Sequence, residues 1–155
     1  MTHRYRSTLA LSVGLLILLA RAALADDFTP ARAAVYFSPN GGVTGAVVRE
    51  VHAATQQSLV QAYSFTSAPI AKALMDAHKR GVKVLAVLDK SNETQKYSAA
   101  TFLVNVGIQT LIDDQHAIAH NKVIVIDSAT IITGSFNFTK AAEEVVYLYL
   151  LYVSV

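Results

Sequence analysis

The sequence predicts an α/β domain in which a layered β-sheet is flanked by helices. Short apolar runs rich in Val and Ile alternate with amphipathic segments of about 11 to 15 residues, and turn or capping residues separate them. The chain has 155 residues, of which 53% are hydrophobic. This length and composition are typical of a single domain with one buried core.

Six strands are predicted by their β-branched and apolar composition. They cover residues 33–38, 58–65, 82–89, 108–113, 122–127 and 130–133. The last two are expected to form a hairpin, because only a short turn at Ser128 separates them.

Three helices are predicted by apolar residues at helical spacing. The first covers residues 43–55. The second covers 68–80, with Ser67 as its N-cap and Gly81 in the left-handed position after its last turn. The third covers about 92–106, with Asn92 as its N-cap.

The final segment, residues 145–155, is almost wholly apolar or aromatic. Tyr147 and Tyr149 alternate there with Val146 and Leu148, which predicts a buried strand. If it were left unpaired, such a strand would be an edge that promotes aggregation.

The first 25 residues predict a secretory signal peptide rather than part of the fold. Two arginines precede an apolar core at 9–20, and a small-x-small cleavage pattern follows at 23–25. The apolar core is shorter than the about 20 residues that a membrane span needs. We therefore expect cleavage near Ala25, a periplasmic or secreted mature domain of residues 26–155, and no stable membrane anchor.

Removal of the signal changes the charge balance. The whole chain has 13 Lys and Arg against 11 Asp and Glu, and three of the arginines lie in the signal, which leaves 10 against 11. Affinity of this nearly neutral domain for a polyanion must come from the placement of individual Lys and Arg residues. The chain has no cysteine, which excludes thiol nucleophiles and cysteine metal sites.

One part of the chain carries a pattern of polar residues that is typical of phosphate chemistry. His120 and Lys122 lie two residues apart in an apolar run, so on a strand both side chains point to the same face. Asp127 completes the pattern H-x-K-x4-D, and Ser135 and Asn137 repeat the two-residue spacing on the next apolar run. Two short strands can thus bring a nucleophile, a cation and an amide donor together.

These residue types meet the requirements of phosphodiester cleavage. A neutral imidazole is a competent nucleophile near pH 7, and attack by His120 would give a phosphohistidine that water later hydrolyses. Lys122 would stabilise phosphoryl oxygens by its charge and Asn137 by a directed hydrogen bond, with Ser135 in a supporting role. The leaving group also needs a proton. A second His120, from a twofold-related subunit, would supply it, which predicts a homodimer with both histidines at the axis.

The same residues resemble the HKD signature of the phospholipase D superfamily. The likeness is greatest to the small, one-motif Nuc-type bacterial endonucleases, which are exported and work as homodimers. It extends from residue 37 to about 144 and includes four further segments, at 37–39, 62–66, 79–82 and 134–142.

This resemblance implies a phospholipase D-like fold, with a mixed β-sheet and one motif per chain. It implies a covalent role for His120 and phosphate binding by Lys122 and Asn137. Asp127 belongs to the catalytic signature, where it organises the site rather than donates a proton. The resemblance also implies that neither a metal nor another cofactor is needed.

The chain departs from this family after about residue 144. Family members continue with a Glu-Asn element, a strand and a closing helix, and that glutamate orients the nucleophilic imidazole. Two interpretations stay open: Glu144 takes this supporting role with the tail as the last strand, or the chain is truncated.

Three functions are compatible with the sequence. The first is a nonspecific endonuclease that cleaves DNA or RNA outside the cytoplasm, and small size and the single motif favour it. The second is a phospholipase D that hydrolyses phosphatidylcholine-type lipids. The third is a truncated remnant without catalytic activity, which only the altered tail supports.

Other polar and aromatic residues have simpler explanations. His116 is expected in a loop near the site rather than in a metal pair, and residues 113–114 in a solvated turn. Phe136 and Phe138 alternate with the polar residues of their segment, so we expect both to face the core.

Overall fold

Seven strands form one mixed β-sheet in the computed structural model, which describes residues 31–95, 98–145 and 148–155. The strands are β1 (Arg32–Ser38), β2 (Gln57–Ala62), β3 (Lys83–Asp89), β4 (Gln109–Asp113), β5 (Lys122–Ile126), β6 (Thr130–Gly134) and β7 (Leu148–Ser154). They lie in the order β1-β7-β6-β5-β2-β3-β4. β2, β3 and β4 are parallel, and every other neighbouring pair is antiparallel.

The sheet confirms the predicted fold class and the six predicted strands. Their ends move by one residue at most, except that β2 ends at Ala62 rather than at Phe65. The predicted signal peptide, residues 1–25, lies outside the described residues. The part of the chain from residue 31 onward forms one compact unit, and none of its described helices is long and apolar enough to cross a membrane.

The longer helices pack side by side on one face of the sheet. They are α1 (Val43–Ala53), α2 (Ala68–Lys79) and α4 (Ala99–Asn105), and two shorter helices are α3 (Ser91–Thr94) and α5 (Lys140–Glu144). Alternate residues of the inner strands point into the core that these helices cover. Phe136 and Phe138 belong to this core and are each 1% exposed, as predicted.

The predicted single helix over 92–106 is wrong. The chain forms two helices there, and Ser98 caps the longer one, because its Oγ accepts a hydrogen bond from the N–H of Ala100 at 3.2 Å. Asn92 is instead buried at 2% exposure and donates to the backbone carbonyls of Tyr63 and Asp89. A side chain that is used in tertiary contacts is not available as a helix cap.

The apolar tail forms β7, and it is an inner strand rather than an edge. It pairs with β1 along its whole length and with β6 over residues 150–154. Its backbone groups are therefore satisfied on both sides, and the tail connects β1 to the rest of the sheet. The predicted final strand is confirmed for residues 148–154, but it is only partly buried, since Leu150 is buried and Tyr149 is exposed. Val146 and Tyr147, which the predicted alternation included, lie outside the described residues.

Gly134 lies where the backbones of β6 and β7 are close together. Its φ is +145°, in the region that favours glycine. A Cβ added there would lie 2.4 Å from the carbonyl oxygen of Tyr149 and 3.1 Å from the Cα of Leu150. These are backbone atoms of a paired strand, so they cannot move aside independently.

We expect Gly134→Ala to lower the free energy of unfolding by about 2–4 kcal/mol, because the added methyl group must push β7 away from β6. Gly45→Ala is a matched control. Its Cβ would make an ordinary contact with Arg49 at 3.8 Å, and alanine should stabilise α1 by about 0.5–1 kcal/mol. Urea unfolding measures both changes, and equal effects of the two substitutions would contradict this account of β7.

Candidate active site

Four of the predicted site residues, His120, Lys122, Ser135 and Asn137, lie on segments that meet at one end of the central strands. β2 ends at Ala62, which lies opposite Lys122 at the start of antiparallel β5. β6 ends at Gly134, one residue beyond Thr133, which lies opposite Val123. The residues after β2, those before β5 and the G-S-x-N segment after β6 are therefore neighbours.

His120 presents its imidazole to solvent immediately before β5. Its ring meets the ring of Tyr63 edge-on, with centroids 4.5 Å apart and an interplanar angle of 63°. Among the residues that the structure describes, neither imidazole nitrogen has a hydrogen-bond partner. The ring is thus oriented by an aromatic contact, while both nitrogens remain available to a substrate.

Lys122 is a buried ammonium, and its residue is only 6% exposed. Its Nζ donates to the carbonyl oxygen of His120 at 3.2 Å and lies 5.2 Å from the centroid of the Tyr63 ring. No carboxylate in the described ranges pairs with it, and burial lowers the pKa of its ammonium group. An anion bound beside the imidazole would meet this uncompensated charge.

Ser135 and Asn137 lie on the segment after β6, whose last residues pair with the start of β5. The Ser135 hydroxyl accepts a hydrogen bond from the N–H of Tyr149 at 3.1 Å, so the serine is fixed to the tail strand. The N–H groups of Ser135 and Phe136 both donate to the Tyr149 carbonyl, each at 3.1 Å. The Oδ1 atom of Asn137 is buried and has no hydrogen-bond partner within the described chain. The fold therefore uses the serine hydroxyl and leaves this amide oxygen unpaired.

Asp127 lies at the opposite end of β5, about 16 Å along the strand from Lys122. Its φ of 51° places it in a left-handed turn. Its carboxylate accepts hydrogen bonds at 2.8 Å from the N–H groups of Thr55, Gln56 and Gln57 and from the Thr55 hydroxyl. The carboxylate of the signature thus fixes the connection between α1 and β2, and it does not touch the imidazole.

Glu144 does not orient the imidazole in this structure. It lies on α5, where its carboxylate faces Lys140 at 3.7 Å, one helical turn away. The neighbouring Glu143 points to the other side of the helix and accepts a hydrogen bond from the N–H of Thr44 at 2.7 Å. The expected supporting role of Glu144 toward His120 is therefore not met, because the helix holds its side chain away from that residue.

Tyr63 is a site residue that the sequence motif does not include. It follows β2 directly, and its ring contacts both the His120 imidazole and the Lys122 ammonium. Its position opposite the start of β5 was not visible before strand pairing was known. His116, by contrast, is an exposed loop residue, and its Nδ1 lies 2.9 Å from the carboxylate of Asp113.

The described residues include no cluster of three or more His, Asp or Glu side chains that could hold a metal ion. The site is instead built from one imidazole, one ammonium, one amide and one aromatic ring. This combination can attack and bind a tetrahedral anion.

Comparison with known proteins agrees with this geometry. The family model described as "Cardiolipin synthase, PLD-like domain" matches residues 47–149. The chain belongs to this family of PLD-like domains and thereby to the phospholipase D superfamily. The crystal structure of Nuc, a phospholipase D family member from Salmonella typhimurium, superimposes with a TM-score of 0.77 at 38% identity, covering 81% of this chain and 84% of that one. NucT from Helicobacter pylori has the same fold, with a TM-score of 0.72, 24% identity and coverage of 81% and 86%.

Curated sequences give a second set of relatives. A phospholipase D from Rickettsia conorii is 40% identical over 119 residues, which cover 77% of this chain and 60% of that protein. Human mitochondrial cardiolipin hydrolase is 32% identical over 82 residues, which cover 53% of this chain and 32% of that protein. The chain thus spans less than two thirds of the length of these curated relatives.

The Asp127 contacts predict an acid-sensitive contribution to stability. Burial raises the pKa of this carboxyl, but the four donors outweigh burial and lower it to about 2, below its usual 3.8. The contribution is therefore complete above pH 4 and is lost as the pH falls toward 2.

We expect Asp127→Asn to lower the free energy of unfolding at pH 7 by on the order of 1–2 kcal/mol, because the carboxylate is partly exposed to solvent. The difference in the free energy of unfolding between this variant and the unmodified chain should shrink as the pH falls from 4 to 2. Urea unfolding at several pH values measures it. A difference that stays constant over this range would contradict the assignment.

Proposed function

We propose that this protein is an exported, metal-independent phosphodiesterase that acts as a nonspecific endonuclease on DNA and RNA. The observation that carries the proposal is the pair formed by the exposed His120 imidazole and the buried Lys122 ammonium, both in contact with Tyr63. A nucleophile with free nitrogens lies beside a cation that has no carboxylate partner in the described chain. A phosphodiester supplies what each member of this pair lacks. Its phosphorus is an electrophile for the imidazole, and its negative charge is a partner for the ammonium.

The reaction proceeds in two displacements at phosphorus. A nitrogen of His120 forms a bond to phosphorus, the bond to the leaving oxygen breaks, and that oxygen takes a proton from the partner subunit's His120. Water then attacks the phosphohistidine, the nitrogen–phosphorus bond breaks, and the partner subunit's His120 accepts the proton of the water. Lys122 and Asn137 stabilise the charge on the nonbridging oxygens in both steps.

Nucleic acid is the favoured substrate because the motif and its flanking segments resemble the one-motif Nuc-type endonucleases. The fold agrees with this choice, since the chain superimposes on 84% of Nuc at 38% identity. Export follows from the signal-like residues 1–25, and it would place the enzyme in the periplasm or outside the cell.

A phospholipid is the second candidate substrate. The curated relatives at 40–44% identity are phospholipases D, and a more distant group are cardiolipin hydrolases. The same displacement at phosphorus would release the headgroup alcohol. The choice between the two substrates depends on what lies beside the imidazole, and parallel reactions with each substrate decide it.

Turnover of bis(4-nitrophenyl) phosphate by the complete chain in excess EDTA tests the proposed chemistry. We expect EDTA-resistant release of nitrophenol, and His120→Ala should lower it by at least about 10³-fold, because the nucleophile is lost. His52→Ala removes an exposed histidine from α1 and is the matched control. Loss of activity in EDTA would overturn the metal-independent mechanism. A folded chain no more active than His120→Ala would identify a non-catalytic remnant.

The unmodified chain, His120→Ala and the control His52→Ala also test the substrate class. Supercoiled plasmid and vesicles of phosphatidylcholine or cardiolipin are offered in separate reactions containing EDTA, and the His120→Ala rate is subtracted from each. Cleavage of plasmid with intact lipid supports the endonuclease. Release of headgroup with intact plasmid would replace it with the phospholipase.

The shared site predicts a specific dependence on subunit composition. If one His120 attacks while the partner subunit's His120 donates the proton, only dimers of two unmodified chains are active. Co-expression with His120→Ala should then reduce activity as the square of the unmodified fraction. A linear decrease, or full activity in a monomer measured by sedimentation, would show that each chain works alone.

A further inference from the structure

Two buried polar side chains at the end of β3 belong to neither the signature nor its flanking motif. They are Asp89, at 3% exposure, and Asn92, at 2% exposure. They are three residues apart in the sequence and lie next to the segments that carry His120 and Tyr63. Burial of a carboxylate and an amide is costly unless every hydrogen bond is made, so their partners indicate what they do.

Asp89 holds the backbone immediately before His120. One carboxylate oxygen accepts a hydrogen bond from the N–H of Ala119 at 2.8 Å, and the other accepts one from the N–H of Ser91 at 2.9 Å. Burial raises the pKa of this carboxyl, but hydrogen bonds from Ser91 and Ala119 lower it below its usual value. The ionised form that makes both bonds is therefore the form present at neutral pH.

Asn92 holds the segment that carries Tyr63. Its Nδ2 donates to the carbonyl of Tyr63 at 2.6 Å and to the carbonyl of Asp89 at 3.0 Å. Its Oδ1 accepts from the N–H of Phe65 at 3.3 Å and from the hydroxyl of Ser98 at 3.2 Å. This one amide therefore binds the backbone on both sides of Ser64 and ties it to the end of β3.

The neighbouring strand offers a comparison. Asp113 ends β4 directly opposite Asp89 in the parallel register. Its carboxylate binds the imidazole and backbone of the exposed His116, and also the N–H of Gln115. Its position at the end of a strand is therefore not enough for a carboxylate to bind the backbone of the site. Of these two carboxylates, Asp89 is the one that bonds to the residue before His120.

We propose that Asp89 and Asn92 are positioning residues that set the His120 imidazole against the Tyr63 ring in the orientation needed for attack. Asp89 fixes the backbone before His120, and Asn92 fixes the backbone at Tyr63. Together they control both sides of the 4.5 Å ring contact. The kinetic part of this inference rests on the proposed phosphodiesterase activity, whereas the geometric part does not.

Asp89→Asn in the complete chain tests the proposal, because it keeps the size of the side chain and removes one of its two acceptor oxygens. We expect kcat for bis(4-nitrophenyl) phosphate to fall by about 10- to 100-fold while KM changes little, since misorientation of the nucleophile affects attack more than binding. Asp76→Asn, which removes a partly exposed carboxylate hydrogen-bonded to Lys72 on α2, is the matched control. Thermal unfolding establishes that each variant is folded.

A spectroscopic measurement separates this inference from the proposed function. The ring protons of His120 are identified by their loss in His120→Ala, and their resonance depends on the edge-on Tyr63 ring. We expect Asp89→Asn to shift this resonance and Asp76→Asn to leave it unchanged. If the unmodified chain lacks turnover, the proposed function fails, and the resonance alone decides whether Asp89 positions the ring.

Two results would overturn the proposal: a folded Asp89→Asn variant with unchanged kcat in an active protein, or an unshifted His120 resonance. If Asp89→Asn does not fold, Asn92→Ser takes its place with the same expectations and the same control, because it removes the bonds to the Tyr63 segment without introducing a charge.

Discussion

β5 lies between β2 and β6, antiparallel to both, and the position of every site residue depends on this pairing. The register puts Lys122 opposite Ala62, so the next residue of that segment, Tyr63, contacts both the ammonium and the imidazole. Asp127 holds the other end of β5 through four hydrogen bonds. A slip of one residue would turn the lysine to the opposite face of the sheet and separate it from the ring.

The buried ammonium is the least favourable electrostatic feature of the site. An unpaired charge in the interior lacks the solvation that it has in water, and here only a carbonyl at 3.2 Å and the face of an aromatic ring offset this loss. An anionic ligand would supply the missing partner. The same feature that costs stability in the free protein thus favours binding of a phosphodiester.

Segments outside the signature hold it in place. The tail supplies β7, whose Tyr149 backbone binds both Ser135 and Phe136, so residues 148–154 support the motif. On the other side, Asp89 and Asn92 fix the chain around the imidazole and its tyrosine. The glutamate expected near the imidazole is occupied elsewhere, since Glu144 faces Lys140. Within the described chain, the imidazole is therefore held by its contact with the Tyr63 ring and by the Asp89 carboxylate, which binds the backbone before it rather than the ring itself.

The sequence by itself determined the fold class, the six strands before the tail, the final strand and the phospholipase D superfamily, because alternation of apolar residues and a motif of fixed spacing are local properties of the chain. Tertiary structure decided the rest. Asn92 appeared to be a helix cap until burial gave it other partners. Asp127 belongs to the signature by its spacing, but its own role became visible only through its bonds to the backbone of residues 55–57. Tyr63 became a site residue only through strand pairing. Hydrogen bonds and ring contacts between distant residues depend on register and burial, which no local pattern records.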